Sequence, residues 1–137
     1  MRVVVDTNCL LVSISPQSKY HWLFKSIVNE ELTLFVTTEI ITEYSEIFGT
    51  KLSVDIANKA IRTLLELPNV IPIHIHYHFN LIHADPDDNK FVDCAVAANT
   101  DFLITNDKHF NILKEVPFPR VNIIKLEEFK DLLNVGQ

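Results

Sequence analysis

Short runs of apolar, largely β-branched residues alternate with stretches of helical periodicity along the whole sequence. Strands that are buried on both faces have continuous apolar runs, so this alternation predicts an α/β fold, a three-layer α/β/α sandwich with a central parallel sheet. The predicted strands cover residues 2–6, 32–36, 70–75, 101–105 and 121–124. The predicted helices cover residues 19–29, 39–48, 53–67, 87 or 88 to 98, 108–114 and 127–133, and Gly49 is expected to end the second helix in a left-handed conformation.

Length and composition narrow the class of protein. The chain has 137 residues, 47% of them hydrophobic, which suffices for one core, so residues 1–137 are predicted to form a single domain. Asp6 interrupts the N-terminal apolar run, and no later stretch approaches the roughly 20 apolar residues of a membrane span. We therefore expect a soluble, cytoplasmic protein with no membrane partner. Cys9 and Cys94 lack any metal-binding or redox spacing and are expected to be reduced and buried.

The charge balance and the glycine content exclude several classes of protein. The net charge of -6 argues against a general basic surface for nucleic acid, so any phosphate must be held by local cations. Gly49 and Gly136 are the only two glycines, so neither a P-loop nor a dinucleotide-binding fingerprint can be built. The lysines considered as local cations are Lys19, Lys25, Lys51, Lys90 and Lys108.

Four carboxylates are predicted to meet at one edge of the sheet. Asp6 closes the first strand, and Asp107 lies two residues beyond the fourth. Glu43 lies in the second turn of the helix after the second strand, and Asp88 starts the helix before the fourth strand. With right-handed crossovers these positions share the carboxyl edge, where such sheets bind ligands. Each acid alone also has a structural explanation, as an N-cap, a turn residue or a solvated acid.

Considered together, the four acids favour a divalent metal site. Crowded carboxylates repel one another unless a cation shares the site, and we expect no lysine or arginine to neutralise these four. Oxygen-rich ligation suits Mg²⁺ or Mn²⁺. Such ions activate water and hold the oxygens of a phosphodiester during in-line displacement. The pattern therefore predicts metal-dependent hydrolysis of a nucleic acid with no covalent protein intermediate.

Four motifs in this order resemble those of the PIN domain, namely DTN at 6–8, TEIITE at 38–43, DPDDNKF at 85–91 and TNDK at 105–108. The resemblance covers essentially the whole chain and is closest to stand-alone prokaryotic VapC-like toxins of toxin-antitoxin pairs. It implies a PIN-like sandwich and a Mg²⁺- or Mn²⁺-dependent endoribonuclease that cleaves RNA. It also implies an antitoxin partner and, because many such proteins dimerise, allows a homodimer.

The resemblance also assigns roles to individual residues. It assigns both catalysis and metal binding to four acidic residues, here called the acidic quartet: Asp6, Glu43, Asp88 and Asp107. Asn8 and Thr105 match small polar residues that orient the acids by hydrogen bonds. Asp93 follows Asp88 by five residues, about 140° around an ideal helix, and is a candidate fifth ligand or supporting acid. Asp85 is expected to be a loop residue only.

Two other functions remain open at this point. A phosphatase of the haloacid-dehalogenase type also ends its first strand on an aspartate, but it needs a second aspartate two residues later, where this chain has Asn8. A catalytically silent PIN-like module would bind RNA or a protein without cutting. Trapping of an aspartyl-phosphate on Asp6 would favour the first alternative, and failure to bind divalent metal would favour the second.

The histidines are interpreted structurally. His74, His76 and His78 alternate, which suggests zinc, but the apolar residues between them predict an ordinary half-exposed strand. His109 could contact substrate because it lies beside Asp107, but a histidine at a helix start is more often only exposed.

Overall fold

The computed structural model describes residues 1–135, in which a five-stranded parallel sheet has the order β3-β2-β1-β4-β5. The strands are β1 (Arg2–Val5), β2 (Thr33–Val36), β3 (Val70–Pro72), β4 (Phe102–Ile104) and β5 (Ile123–Ile124). The helices are α1 (Thr7–Ile14), α2 (His21–Val28), α3 (Thr38–Lys51), α4 (Val54–Glu66), α5 (Asn89–Ala98) and α6 (Leu126–Val135). Two 3-10 helices span Pro86–Asp88 and Lys108–Glu115. The predicted α/β class and parallel sheet are confirmed.

Strand β1 lies at the centre of the sheet and is buried on both faces. Val3, Val4 and Val5 are each 0% exposed, although consecutive strand residues point to opposite faces. Helices therefore cover both sides, as in a three-layer sandwich. The hydroxyl of the fully buried Tyr44 donates a hydrogen bond to the carbonyl of Val5, which fixes α3 against the end of β1. Among the helices of residues 1–135, none combines the length and the apolar character needed to cross a membrane.

The strand order reverses between β1 and β4. The chain leaves β1 towards β2 and leaves β4 towards β5 in the opposite direction, so the two following loops diverge at the carboxyl edge. Val5 lies opposite Ile104 in the register, and the N–H of Asp6 donates to the carbonyl of Ile104 at 3.0 Å. Asp6 and Thr105, the next residues of the two segments, therefore start side by side.

A helix that the sequence analysis did not predict, α1, follows Asp6 directly. Asp6 is its N-cap, and Oδ1 accepts a hydrogen bond from the N–H of Cys9 at 2.9 Å. The sequence analysis predicts a strand that ends at Asp6 and assigns no helix before residue 19. An aspartate followed by apolar Cys9, Leu10 and Ile14 at helical spacing is the signal that could have indicated this helix.

The prediction that Gly49 ends α3 is wrong. The helix continues to Lys51, and the N–H of Leu52 donates to the carbonyl of Phe48 at 2.9 Å. A glycine inside a helix costs about 1 kcal/mol relative to alanine. Phe48 is fully buried in the same turn, and burial of a phenylalanine side chain contributes about 1.5–3 kcal/mol, which offsets that cost.

The third strand is shorter than predicted and ends at Pro72. The N–H of Ile73 still donates to the carbonyl of Val36 at 2.9 Å, but β2 ends there and α3 begins two residues later. Residues 73–85 therefore have no neighbouring strand with which to continue the ladder, and the predicted half-exposed strand of alternating histidines is wrong. The side chain of Asn89 in α5 holds this segment instead, by hydrogen bonds of 2.9 Å and 2.8 Å to the N–H and carbonyl of Ile82.

The two cysteines are buried and unpaired, as predicted. Burial raises the pKa of the Cys94 thiol to about 12 and raises that of Cys9 as well, with the neighbouring Asp6 carboxylate adding to the second effect. Both residues therefore pack as neutral thiols.

Candidate active site

Side chains from the ends of β1 and β4 form one connected group. The hydroxyl of Thr105 donates to Oδ2 of Asp6 and accepts from the N–H of Asp107 at 3.0 Å. Asp6 is 7% exposed and Thr105 is 3% exposed, so their contact is shielded from water. Asp107 in turn caps the second 3-10 helix, because its Oδ1 accepts from the N–H of His109 at 2.9 Å. One hydroxyl thus positions two of the predicted acids.

Asp88 supplies a third carboxylate, just before α5. Its Oδ2 is buried and has no hydrogen-bond partner among the residues that the structure describes. Burial, followed by the charges of Asp85, Asp107 and Asp6, raises the pKa of Asp88 to about 6. Burial also raises the pKa of Asp6, and the charge of Asp107 adds to that effect. The charge of Asp107 thus opposes the ionisation of both Asp6 and Asp88.

Glu43 of α3 lies beside this group, but a lysine neutralises it. The hydroxyl of Thr7 donates to Oε2 of Glu43, and Nζ of Lys90 lies 2.8 Å from Oε1. The expectation that no lysine would neutralise the acids is therefore wrong for Glu43. Sequence analysis missed the roles of Thr7 and Lys90, although each lies within two residues of a predicted acid, Asp6 or Asp88.

Asn8 and Asp93 make different contacts from those expected. Asn8 is exposed and, within residues 1–135, forms no hydrogen bond to a carboxylate; it lines a cleft of about 310 Å³ together with Asp6 and Asp107. The buried carboxylate of Asp93 accepts from the N–H of Phe79 at 3.1 Å and lies 3.1 Å from Nδ1 of His78. Asp93 therefore attaches residues 73–85 to α5.

Two residues that the sequence analysis set aside lie against Asp88. One potential ligand atom from each of Asp85, Asp88 and His109 lies within 4.8 Å of the others. Nδ1 of His109 is 3.8 Å from Oδ2 of Asp88 and 3.4 Å from Oδ1 of Asp107. The expectation of a merely exposed His109 is incomplete, because its side chain is only 39% exposed and faces two acids. Asp85 and His109 belong to the stretches DPDD and TNDKH, which contain the predicted acids Asp88 and Asp107, and this proximity could have indicated them as site residues.

The donor set fits a divalent cation. Oxygen atoms from three segments converge, Asp88 keeps a buried oxygen without a partner, and the pKa values of Asp6 and Asp88 are raised. A cation shared by these oxygens would remove the repulsion and satisfy the unpartnered atom. Hard, oxygen-rich ligation of this kind is typical of Mg²⁺ and Mn²⁺ sites.

A pocket with three lysines adjoins Asp107. Lys108, Lys114 and Lys125 are all exposed and line this pocket of about 190 Å³ together with Asp107 and Asn111. Sequence analysis had named only the first of these lysines. Another lysine that it named, Lys19, instead lies 3.7 Å from Glu127 at the surface. The local cations that an acidic chain would need for phosphate are therefore next to the acid group.

The sequence matches the family model of the PIN domain over residues 2–109. The chain belongs to the PIN-domain family. This assignment replaces the haloacid-dehalogenase alternative. The matched range contains all four acids of the predicted quartet.

Solved structures share the fold of this PIN domain. One is a chain of VapBC2 from Rickettsia felis, bound to a DNA fragment from its promoter. Its TM-score is 0.64 at 12% sequence identity, and the match covers 91% of this chain and 98% of that chain. Another belongs to FitAB bound to an IR36 DNA fragment, with a TM-score of 0.61, 14% identity, and coverage of 90% and 94%. No protein with a curated description matches the sequence. The structural likeness confirms the PIN-like fold.

Proposed function

We propose that this PIN domain is a divalent-metal-dependent endoribonuclease and the VapC-like toxin of a toxin-antitoxin pair. The observation that carries the proposal is the convergence of Asp6, Asp88 and Asp107 where the strand order reverses, with a buried, unpartnered oxygen on Asp88. Membership of the PIN-domain family supports a nuclease. RNA as the substrate rests on the resemblance of the motifs to those of VapC-like ribonucleases.

The predicted quartet would hold Mg²⁺ or Mn²⁺, through Asp6, Glu43, Asp88 and Asp107. When bound, such an ion supplies an activated water and stabilises charge on the phosphodiester oxygens. The chain itself prepares the ligands: Thr105 fixes the carboxylate of Asp6, and Thr7 fixes that of Glu43. Ligands held in this way lose little rotational freedom when an ion arrives.

Lys90 balances the charge of Glu43 in the absence of a metal ion. The pair is largely shielded, with side-chain exposures of 14% for Lys90 and 27% for Glu43, so the attraction is screened less than at an open surface. Lys90 therefore holds Glu43 in place, and it also provides an ammonium group that a phosphate oxygen could contact.

The substrate we propose is single-stranded RNA whose backbone runs from the acid group into the pocket of Lys108, Lys114 and Lys125. Exposed ammonium groups bind phosphates without reading sequence, which suits a strand that must only be held across the acids. The chain as a whole has a net charge of -6, which opposes general, non-local binding of RNA to its surface. Binding is therefore expected to depend steeply on salt and to be confined to this edge.

An antitoxin and a second copy of the chain are the protein partners we propose. The structures similar in fold, VapBC2 and FitAB, are two-component assemblies bound to DNA fragments. By analogy, an antitoxin would cover the acidic edge of this chain. Co-expression with the product of an adjacent small reading frame, followed by size-exclusion chromatography, tests both partners.

Cleavage of labelled single-stranded RNA in Mg²⁺ or Mn²⁺ tests the nuclease assignment. We expect the wild-type protein to cleave, and Asp6→Asn and Asp107→Asn each to lose about 100-fold or more in rate, the scale found when one electrostatic group is removed from an active site. Asp87→Asn is the matched control, because Asp87 is an exposed acid next to the site. Equal cleavage by wild type and Asp6→Asn would contradict the proposal, and absence of divalent metal binding in calorimetry would favour the silent binding module.

A further inference from the structure

We propose that Asp85 and His109 complete the metal centre, so that the bound ion has an imidazole nitrogen among its ligands and is Mn²⁺ in preference to Mg²⁺. This inference rests on the proposed nuclease function and deepens it, because it adds two ligands outside the predicted quartet and chooses between the two metals.

The separations between these side chains suit shared ligation. Nδ1 of His109 lies 3.8 Å from Oδ2 of Asp88 and 3.4 Å from Oδ1 of Asp107. Two ligands on one octahedral ion, with bonds of about 2.1 Å, lie about 3 Å apart in neighbouring positions and about 4 Å apart in opposite positions. Both distances fall in that range, and Asp85 has a ligand atom within 4.8 Å of the other two side chains of its group.

Two of the potential ligand atoms have no hydrogen-bond partner in the part of the chain that the structure describes. Oδ2 of Asp88 and Nδ1 of His109 are both buried, and neither has a hydrogen-bond partner among residues 1–135. Buried polar atoms in folded proteins are rarely left in this state. At 3.8 Å the two atoms are too far apart for a hydrogen bond to each other. A cation between them would satisfy both atoms at once.

Hydrogen bonds from backbone N–H groups fix the segments that carry Asp85 and His109. The N–H of His109 donates to Oδ1 of Asp107 at 2.9 Å, so the helix start that carries the imidazole is fixed by another acid of the site. Oδ1 of Asp85 accepts from the N–H of Asp87 at 3.2 Å, which leaves its second oxygen available. These contacts fix the backbone from which the imidazole projects and one carboxylate oxygen of Asp85.

The nitrogen ligand determines the choice of metal. Mg²⁺ strongly prefers oxygen ligands and keeps several waters, whereas transition metals accept imidazole readily. Mn²⁺ binds carboxylate oxygens as Mg²⁺ does and also accepts a histidine nitrogen, so a site of three or more carboxylates and one imidazole favours Mn²⁺. An alternative role for His109, donation to a substrate phosphate, would not require its nitrogen to face Asp88 and Asp107.

Pulsed electron paramagnetic resonance of Mn²⁺ added to the full chain tests the proposal, since it detects a ¹⁴N nucleus bonded to the ion. We expect an imidazole ¹⁴N coupling in the wild-type protein and in His83→Gln, which alters an exposed histidine nearby. We expect no such coupling in His109→Gln. In titration calorimetry the ratio of Mn²⁺ to Mg²⁺ affinity should fall about tenfold in His109→Gln, and Mn²⁺ affinity should fall about tenfold in Asp85→Asn but not in Asp87→Asn.

The possible failures are distinguishable. Bound Mn²⁺ without ¹⁴N coupling in the wild type, or coupling that persists in His109→Gln, overturns the inference and leaves the nuclease proposal intact. Absence of Mn²⁺ binding in the wild type overturns the inference, and absence of both Mn²⁺ and Mg²⁺ binding overturns the nuclease proposal as well. If His109→Gln does not fold, His109→Asn replaces it, and the wild-type spectrum alone still decides whether a histidine ligates the ion.

Discussion

Replacing Asp88 with asparagine tests whether the acid group destabilises the fold when no cation is bound. The substitution keeps the size of the side chain and removes its charge. Burial and the neighbouring acids raise the pKa of Asp88 from 3.8 to about 6. The folded protein therefore binds this proton more tightly than the unfolded chain does, and ionisation of Asp88 costs stability.

The size of the effect follows from the two pKa values. Each pH unit between 3.8 and about 6 corresponds to about 1.36 kcal/mol, which sets a ceiling of about 3 kcal/mol. The side chain is 15% exposed and its site opens to solvent, so screening lowers the expected value to about 1–2 kcal/mol. The sign is that of an acid with a raised pKa: the wild type keeps this stability below pH 3.8 and loses it as the pH rises to about 6 and above.

Urea unfolding in a metal chelator, followed by the fluorescence of the single tryptophan, Trp22, measures the effect. From about pH 4 to about pH 7.5, the free energy of unfolding of Asp88→Asn should rise relative to wild type by about 1–2 kcal/mol. Asp87→Asn, which removes one exposed charge next door, should show no such rise. Added Mn²⁺ should stabilise wild type more than Asp88→Asn. A difference between Asp88→Asn and wild type that is the same at both pH values would refute the reasoning.

Three further substitutions test other contacts. Thr105→Val removes a buried hydrogen bond to the carboxylate of Asp6, so we expect the free energy of unfolding in urea to fall by about 2–3 kcal/mol. Thr105→Ser should restore it. Unchanged stability in Thr105→Val would show that the hydroxyl does not support the acid. Gly49→Ala should raise the free energy of unfolding by about 0.5–1 kcal/mol, because Gly49 is helical and an added Cβ meets nothing within 4 Å. A lower melting temperature would contradict a helix at this position. Lys90→Met removes the counter-charge of Glu43, so it should lower stability without metal by about 1 kcal/mol and raise Mn²⁺ affinity measured by calorimetry. Lys90→Arg should resemble wild type. Weaker Mn²⁺ binding by Lys90→Met would contradict this interpretation of the ion pair.

The parts of the fold that follow from local chemistry could be predicted from the sequence. Apolar runs such as Val3 to Val5 mark strands buried on both faces, and the parallel sheet follows from their alternation with helices. Asp6 and Asp107 were predicted at one edge because each follows the end of a strand, and ends of parallel strands share an edge. The contact through Thr105 needs only this adjacency, so it too was accessible from sequence.

The remaining features depend on tertiary contacts between segments that are distant in the sequence. The pair of Lys90 and Glu43 joins α5 to α3, and no local pattern reports which side chains two helices bring together. The alternating residues 73–78 fit a strand, but a strand also needs a partner, and β2 ends at Val36. Likewise, the approach of His109 to Asp88 depends on where a 3-10 helix starts relative to α5.

The attachment of residues 73–85 to α5 has a consequence for how this family member can diverge. Asn89 binds the N–H and carbonyl of Ile82, and Asp93 binds the N–H of Phe79, so three of the anchoring contacts are made to main-chain atoms. Main-chain atoms are the same whatever side chain is present. Apart from Asp85, the segment can therefore exchange most of its residues and keep its attachment to α5, so substrate preference can change there without rebuilding the proposed active site.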